Sequence, residues 1–155
     1  MTRPEDARRF VKETGCDTLA VSIGTKHGIR KFFSANARLD IKRLQLIQKN
    51  VSVPLVLHGA SSLPSHVKDV AEQYGADLSH AYGVSKVQLK QAIQHGISKI
   101  NTDSDLRIAF SGAVDRAMTR RPNNLDPRSY LGEGRAAVAR IVESKLALFG
   151  AAHRV

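Results

Sequence analysis

Three short apolar runs, separated by amphipathic segments, constrain the fold of this chain more than any other feature. Residues 18–23 read TLAVSI, residues 53–57 read VPLVL and residues 97–100 read ISKI. Each run has the length and the aliphatic character of a buried strand, and each is followed by residues with helical periodicity. Strands that alternate with helices are typical of βα units around a parallel sheet. The sequence therefore predicts an α/β fold.

The segments between these runs carry helix signals. Thr2 and Glu5 have the spacing of a capping box, and Gly15 marks the end of an opening helix. Asp40 is a good N-cap for the next helix, and residues 75–84 form a long loop for a unit of this kind. Further helices are predicted to begin at Pro64, to span residues 85–95 and to run from Leu106 to Ala117, and a last helix is predicted to end at Gly150. Phe110 is expected to face inward in the helix that begins at Leu106. Ile141, Val142 and Leu146 are expected to face inward in the last helix.

The number of strands is small for a parallel sheet that closes on itself. The chain has 155 residues, whereas an eight-stranded βα barrel takes about 250 residues. Three strands supply roughly three-eighths of such a barrel.

The charge balance raises the question of a nucleic-acid partner. The chain has 24 basic and 14 acidic side chains, a net charge of +10. The charges are spread along the whole sequence, without zinc-finger spacing and without basic residues interleaved with aromatic ones. An anionic small substrate or solvated helix faces explain the surplus at least as well, so we expect no nucleic-acid partner.

Cysteine usage and hydropathy bear on location. The single cysteine, Cys16, excludes an internal disulfide and is compatible with a reducing compartment. No stretch approaches the roughly 18 apolar residues that a membrane span requires. Residues 1–12 are charged and lack the apolar core of a secretory signal. We expect a cytoplasmic protein with no membrane partner.

Each predicted strand ends in a cluster of glycine and polar residues. In barrels and open α/β sheets, active sites are built at the carboxyl ends of the strands. Glycines let backbone N–H groups approach an anion, and hydroxyls and cationic side chains add donors, so three such ends predict a phosphate-binding surface. The clusters comprise Gly24, Lys26, His27, Gly28 and Lys31 after the first run, His58, Gly59, Ser61 and Ser62 after the second, and Asn101, Thr102, Asp103, Ser104 and Arg107 after the third.

His27 and His58 each stand beside a glycine at the end of a strand. Imidazole nitrogen suits Zn²⁺, and a catalytic zinc typically takes three protein ligands. Each imidazole could equally hydrogen-bond a loop carbonyl, and the residues alone leave both interpretations open. Likewise, the segment around Asp103 and Ser104 could be a helix N-cap with no ligand.

The motifs together resemble the class II, zinc-dependent fructose-bisphosphate aldolases. The resemblance rests on LAVSIGTKHG at residues 19–28, PLVLHGAS at residues 54–61 and ISKINTDSDLRIAF at residues 97–110, with DPRSYL at residues 126–131 and KLALFGAA at residues 145–152. It covers nearly the whole chain. It implies that residues 1–155 are a partial domain, the C-terminal portion of a (β/α)8 TIM barrel, with about three βα units plus C-terminal helices.

The resemblance implies an activity and a site. The activity is reversible cleavage of fructose 1,6-bisphosphate to dihydroxyacetone phosphate and glyceraldehyde 3-phosphate, with tagatose bisphosphate as the alternative substrate. The implied cofactors are Zn²⁺ and a monovalent cation held by backbone atoms of the phosphate pocket. Residue by residue, it implies zinc ligation by His27 and His58, a pocket for the ketose 1-phosphate from Gly28, Lys31, Gly59, Ser61, Asp103 and Ser104, contact with the dihydroxyacetone phosphate carbons by Asn101, and binding of the distal phosphate by Arg107.

One part of the family pattern has no counterpart in this sequence. The third zinc histidine and the acid/base aspartate of the family lie together in its N-terminal half, and nothing here matches that pair. We expect the chain alone to be inactive, and its partners to be the sugar substrate and either further copies of itself or a complementary N-terminal half. An inactive truncated member of the family is the alternative interpretation.

Overall fold

The computed structural model describes residues 1–26 and 38–153. The chain forms two compact units, one of Met1–Ser62 with Tyr82–Thr102 and one of Leu63–Ala81 with Asp103–Val155. In chain order the elements are α1 (Pro4–Thr14), β1 (Leu19–Val21), α2 (Ile41–Asn50), β2 (Leu55–Leu57), α3 (Ser65–Gln73), α4 (Lys86–Gln94), β3 (Ile97–Ile100), α5 (Ser104–Arg120) and α6 (Pro127–Phe149).

The first unit holds the sheet, whose strands are parallel in the order β1-β2-β3. Leu55 pairs with Leu19 on one side and with Ile97 on the other. All of β2 is buried because it has a strand on each side, whereas β1 and β3 each have exposed residues. The predicted α/β architecture with three parallel strands is confirmed, but continuous burial holds only for the central strand.

Helix ends in the first unit follow the predicted signals with one exception. Gly15 ends α1 in the left-handed region, at φ 62°, and Asp40 caps α2 by accepting a hydrogen bond from the Arg43 N–H at 2.9 Å. The capping box at Thr2 was wrong. Thr2 instead exchanges hydrogen bonds with Ser22, through its N–H at 2.8 Å and its hydroxyl oxygen at 2.9 Å. These bonds fix Thr2 beside the residue that follows β1 and leave Arg3 at the N-cap position.

The second unit consists of α3, α5 and α6 around an apolar core. Small residues bring the helices close together: a Cβ at Gly134 of α6 would lie 2.7 Å from the ring of Phe110. No helix within residues 1–26 and 38–153 is long and apolar enough to cross a membrane. The core residues are Val67, Ala71, Leu78, Ala81, Ile108, Ala109 and Ile141.

The predicted inward faces of the last two helices were wrong in part. Phe110, Val142 and Leu146 are 37, 39 and 42% exposed. Gly134 of α6 lies against the side chains of Phe110 and Val114 of α5, so α6 covers only part of the Phe110 ring. Ile141 is buried as predicted.

Candidate functional site

The carboxyl ends of the three strands meet at His58, in the first unit. His58 follows β2 directly and is half-buried. Its carbonyl oxygen accepts a hydrogen bond from the hydroxyl of Thr25, in the segment after β1, at 3.0 Å. Its ring nitrogen Nε2 lies 3.0 Å from Nδ2 of Asn101, the first residue after β3. Two residues that the sequence assigned to one site are thus in contact.

Parallel pairing of the strands explains this contact. Leu57 and Ile100, the last residues of β2 and β3, are partners in register. The N–H of Asn101 continues the ladder by donating to the carbonyl oxygen of Leu57 at 3.0 Å. The residue after each strand therefore emerges at the same edge of the sheet.

The imidazole of His58 is the metal-binding group that the sequence assigned to this position, and its Nε2 is the ring atom in contact with the Asn101 amide. A neutral imidazole with a nitrogen lone pair is the form that binds a metal ion. A cavity of ≈ 280 Å³ opens beside it, lined by His58, Thr25, Ala20 and Val21 of β1, and Ser22, which follows β1.

Gly59 and Ser61 form the loop that follows His58. Gly59 has φ +61°, and a Cβ there would lie 2.6 Å from the carbonyl oxygen of Lys26. Glycine therefore permits a close approach of the loops after β1 and β2. Ser61 is 1% exposed, and its carbonyl oxygen accepts a hydrogen bond from the N–H of Val84 at 3.0 Å.

Thr102 is a feature that the sequence analysis noted without a role. Its hydroxyl is buried and has no hydrogen-bond partner in the described part of the chain. Buried polar groups in proteins are nearly always hydrogen-bonded, so this donor is available to a bound group. Its position next to Asn101, in the polar cluster after β3, is the one signal in the sequence that pointed to it.

Asp103, Ser104 and Arg107 belong to the second unit, at the start of α5. Asp103 occupies the N-cap position but makes no side-chain cap hydrogen bond. Its Oδ1 instead accepts a hydrogen bond from Nε of Arg107 at 2.8 Å. This bond and the charge of the carboxylate raise the pKa of the Arg107 guanidinium. Ser104 is buried at 4% exposure, whereas the Arg107 side chain is 80% exposed and open to anions.

A buried ion pair in the same unit was not predicted from the sequence. Asp105 is fully buried, and its Oδ2 lies 2.5 Å from Nζ of Lys145 on α6. Its Oδ1 accepts a hydrogen bond at 2.7 Å from the N–H of Leu63, which has a positive φ of 47°. A lysine within the apolar stretch that ends α6 was the signal for this pair.

The metal-binding capacity of the described residues is limited to one predicted ligand. Within residues 1–26 and 38–153, no three side chains of His, Cys, Asp or Glu converge. His58 offers a nitrogen of the kind that zinc prefers. His27, Gly28 and Lys31 lie outside the described residues. The described residues thus fit zinc in donor type and supply one of its ligands.

Comparisons with known proteins agree in the family they indicate. The model of the family "Fructose-bisphosphate aldolase class-II" matches residues 1–154. The chain is 44% identical to fructose-bisphosphate aldolase of Giardia intestinalis, over 98% of this chain and 47% of that protein. It is 44% identical to the fructose-bisphosphate aldolase of Thermus caldophilus, over 99% of this chain and 50% of that protein.

A solved structure extends this likeness to the fold. The YdjI aldolase from Escherichia coli K12 superposes with a TM-score of 0.69 at 31% identity, over 99% of this chain and 47% of that chain. This chain therefore spans about half the length of the relatives that it matches.

Proposed function

Because this chain belongs to the class II fructose-bisphosphate aldolase family, we propose that it forms the C-terminal part of a barrel that reversibly cleaves fructose 1,6-bisphosphate to dihydroxyacetone phosphate and glyceraldehyde 3-phosphate. The observation that carries the proposal is the contact between His58 and Asn101, whose Nε2 and Nδ2 atoms lie 3.0 Å apart where β2 and β3 end. Active sites of βα barrels are built at this end of the strands.

The proposal assigns zinc ligation to His27 and His58. When bound, zinc supplies a Lewis acid that polarises the substrate carbonyl. Asn101 has two roles here: its amide orients the His58 ring, and it contacts the carbons of dihydroxyacetone phosphate. The family's acid/base aspartate has no match in residues 1–155, so we assign proton transfer to a part of the protein outside this sequence.

Phosphate binding follows the family motif residue by residue. We assign the 1-phosphate to backbone and side-chain donors of the strand-end clusters, with a monovalent cation held by backbone atoms of the same residues. Arg107 takes the distal phosphate, because its side chain is exposed and a guanidinium is a cation at any working pH. The residues assigned to the 1-phosphate are Gly28, Lys31, Gly59, Ser61, Asp103 and Ser104.

We also propose the compartment in which the enzyme acts and the way in which it assembles. A cytoplasmic enzyme of glycolysis and gluconeogenesis is consistent with the one unpaired cysteine, Cys16, in the described residues. Catalysis by this chain requires the acid/base group from an N-terminal half or from another polypeptide, and a homo-oligomer is the expected state of the assembled protein.

Replacement of His58 tests the zinc site. In the complete protein, we expect His58→Ala to remove bound zinc and to lower cleavage of fructose 1,6-bisphosphate by more than about 100-fold, because even residues that only support a metal ligand contribute 10- to 100-fold. Metal content is measured by mass spectrometry and cleavage by a coupled assay. His80→Ala, at an exposed loop position, is the matched control. Full zinc and full turnover in His58→Ala would remove His58 from the site.

Replacement of Arg107 tests the distal phosphate site and the sugar specificity. We expect Arg107→Ala to raise KM for the bisphosphate by about tenfold or more, since a hydrogen bond to a charged group contributes about 1.5–3 kcal/mol. A ketose that lacks the distal phosphate should be cleaved as before. The same assay with tagatose 1,6-bisphosphate compares the two sugars, and a preference for tagatose would overturn the substrate assignment.

A further inference from the structure

A second cavity lies in the helical unit, and the proposed aldolase site does not use it. It has a volume of ≈ 300 Å³ and is lined by residues of α3, α5 and α6. Its buried lining residues, which form the floor of the cavity, are Val67, Ala109, Ala113 and Ile141, with 2–7% exposure. Two alanines of α5 form part of this apolar floor, and their short side chains leave room that leucine would fill.

The rim of this cavity is basic. Three residues that line it have basic side chains: His66 on α3 and Arg140 on α6, which are exposed, and Arg116 on α5, which is half-buried. The Arg116 side chain is 28% exposed and is held by Glu133 of α6, with Nη2 and Oε2 3.5 Å apart. None of the residues that line the cavity, all of them in the described ranges, is acidic. The rim therefore presents the exposed Arg140 guanidinium above an apolar floor, with Arg116 beside it and paired with Glu133.

These two features together select one class of ligand. A sugar phosphate would leave the apolar floor in contact with polar groups, and a neutral hydrocarbon would gain nothing from the guanidinium groups. An anion with an apolar tail satisfies both, because the tail removes the floor from water and the head group pairs with arginine. We propose that this cavity binds a small amphiphilic anion, a carboxylate or phosphate head group on a short acyl or alkyl chain.

Arg140 is the residue that tests the proposal best. It is exposed, so its replacement does not alter the core, and Arg135 on the same helix is exposed but does not line the cavity. The probe is octanoate, titrated calorimetrically into the complete protein. We expect saturable binding that Arg140→Gln weakens about tenfold, the effect of losing a charged hydrogen bond. Arg135→Gln should bind octanoate as the unchanged protein does.

Further ligands and one further variant separate the two parts of the site. Octanol has the same chain without charge and should bind at least tenfold more weakly than octanoate, and equally to the protein and to Arg140→Gln. Octyl phosphate compared with octanoate shows which head group the rim prefers. Ala137→Leu, at a half-buried wall position, should fill the cavity and abolish binding of each ligand.

Three outcomes would overturn the proposal. The first is the absence of saturable octanoate binding, and the second is equal affinity for octanol and octanoate. The third is a loss of affinity in Arg135→Gln as large as that in Arg140→Gln, since the effect would then come from the net charge of the surface. Aldolase activity is not a readout in this experiment, so its result is independent of the proposed function.

Discussion

At the residue scale, two separate physical reasons favour glycine at the position of Gly59. The sequence assigned it to a phosphate loop because glycine exposes the backbone N–H groups. In the structure, its φ is +61° and a Cβ would lie only 2.6 Å from the Lys26 carbonyl oxygen, so packing requires glycine as well. Gly15 has nearly the same backbone angle, φ +62°, but nothing lies within 4 Å of its Cβ position. A comparison of substitutions at these two positions therefore distinguishes the cost of backbone strain from the cost of a steric clash.

This comparison yields a prediction. In the complete protein, Gly15→Ala should lower the free energy of unfolding by about 1 kcal/mol, the cost of a left-handed conformation for an L-residue. Gly59→Ala should cost about 2 kcal/mol more than that, because the backbone must also move away from the carbonyl oxygen. Urea denaturation of both variants measures the difference. Equal losses would show that the loop after β2 is free to shift.

The residues of the site differ in how far the sequence could predict them. The contact between His58 and Asn101 follows from strand order, since parallel strands of adjacent βα units end at one edge. The buried carboxylate of Asp105 was not predictable, because its partners, Leu63 and Lys145, are distant in sequence. The burial of the Thr102 hydroxyl was not predicted either. The roles of His58 and Asn101 toward metal and substrate remain predictions.

At the scale of elements, local signals predicted the helix ends better than the helix faces. Gly15, Asp40 and Gly150 act through the backbone of their own helix, so their effect is visible in the sequence. Which face of a helix is buried depends on the neighbour it meets. Gly134 of α6 receives the Phe110 ring of α5, a contact that apolar periodicity does not predict.

The ion pair between Asp105 and Lys145 connects α5 to α6, and its removal is a second prediction. In the complete protein, Lys145→Met should lower the free energy of unfolding by about 3–5 kcal/mol, because it takes the ammonium away from a buried carboxylate. The double variant Asp105→Asn/Lys145→Met should recover part of this loss, since the buried charge is then gone. Thermal and urea denaturation measure both. A single variant as stable as the unchanged protein would show that water reaches Asp105.

At the scale of the whole molecule, the two outer strands of the sheet each have an edge that no other strand of the described residues pairs with. In the described residues, β1 and β3 each pair with one strand, and the chain spans about half the length of its relatives. An unpaired strand edge is a template for association with other chains. The fold class was predictable from three βα units alone. What pairs with the outer edges of β1 and β3 was not predictable, because these 155 residues contain no further strand signal.

We therefore predict the behaviour of residues 1–155 expressed alone. The polypeptide should aggregate or associate, and it should show no measurable cleavage of fructose 1,6-bisphosphate, because the proposed function assigns the acid/base aspartate to a part of the protein outside residues 1–155. Size-exclusion chromatography, zinc content and the coupled assay measure this. Co-expression with the N-terminal half of a relative such as the Thermus caldophilus aldolase is the control, and should restore some activity. A soluble monomer with normal turnover would contradict the prediction.

The central position of β2 also has a consequence during synthesis on the ribosome. Its partners lie on either side of it in the chain, at Leu19 and at Ile97, each separated from Leu55 by at least one helix. The first pairing becomes available as soon as β2 has emerged, but the second must wait until α3 and α4 have been translated. Until then the most apolar strand of the sheet has an open backbone edge in a growing polypeptide. A pause in translation within residues 58–96 would therefore expose the nascent chain to misassembly, which is where a chaperone would be needed most.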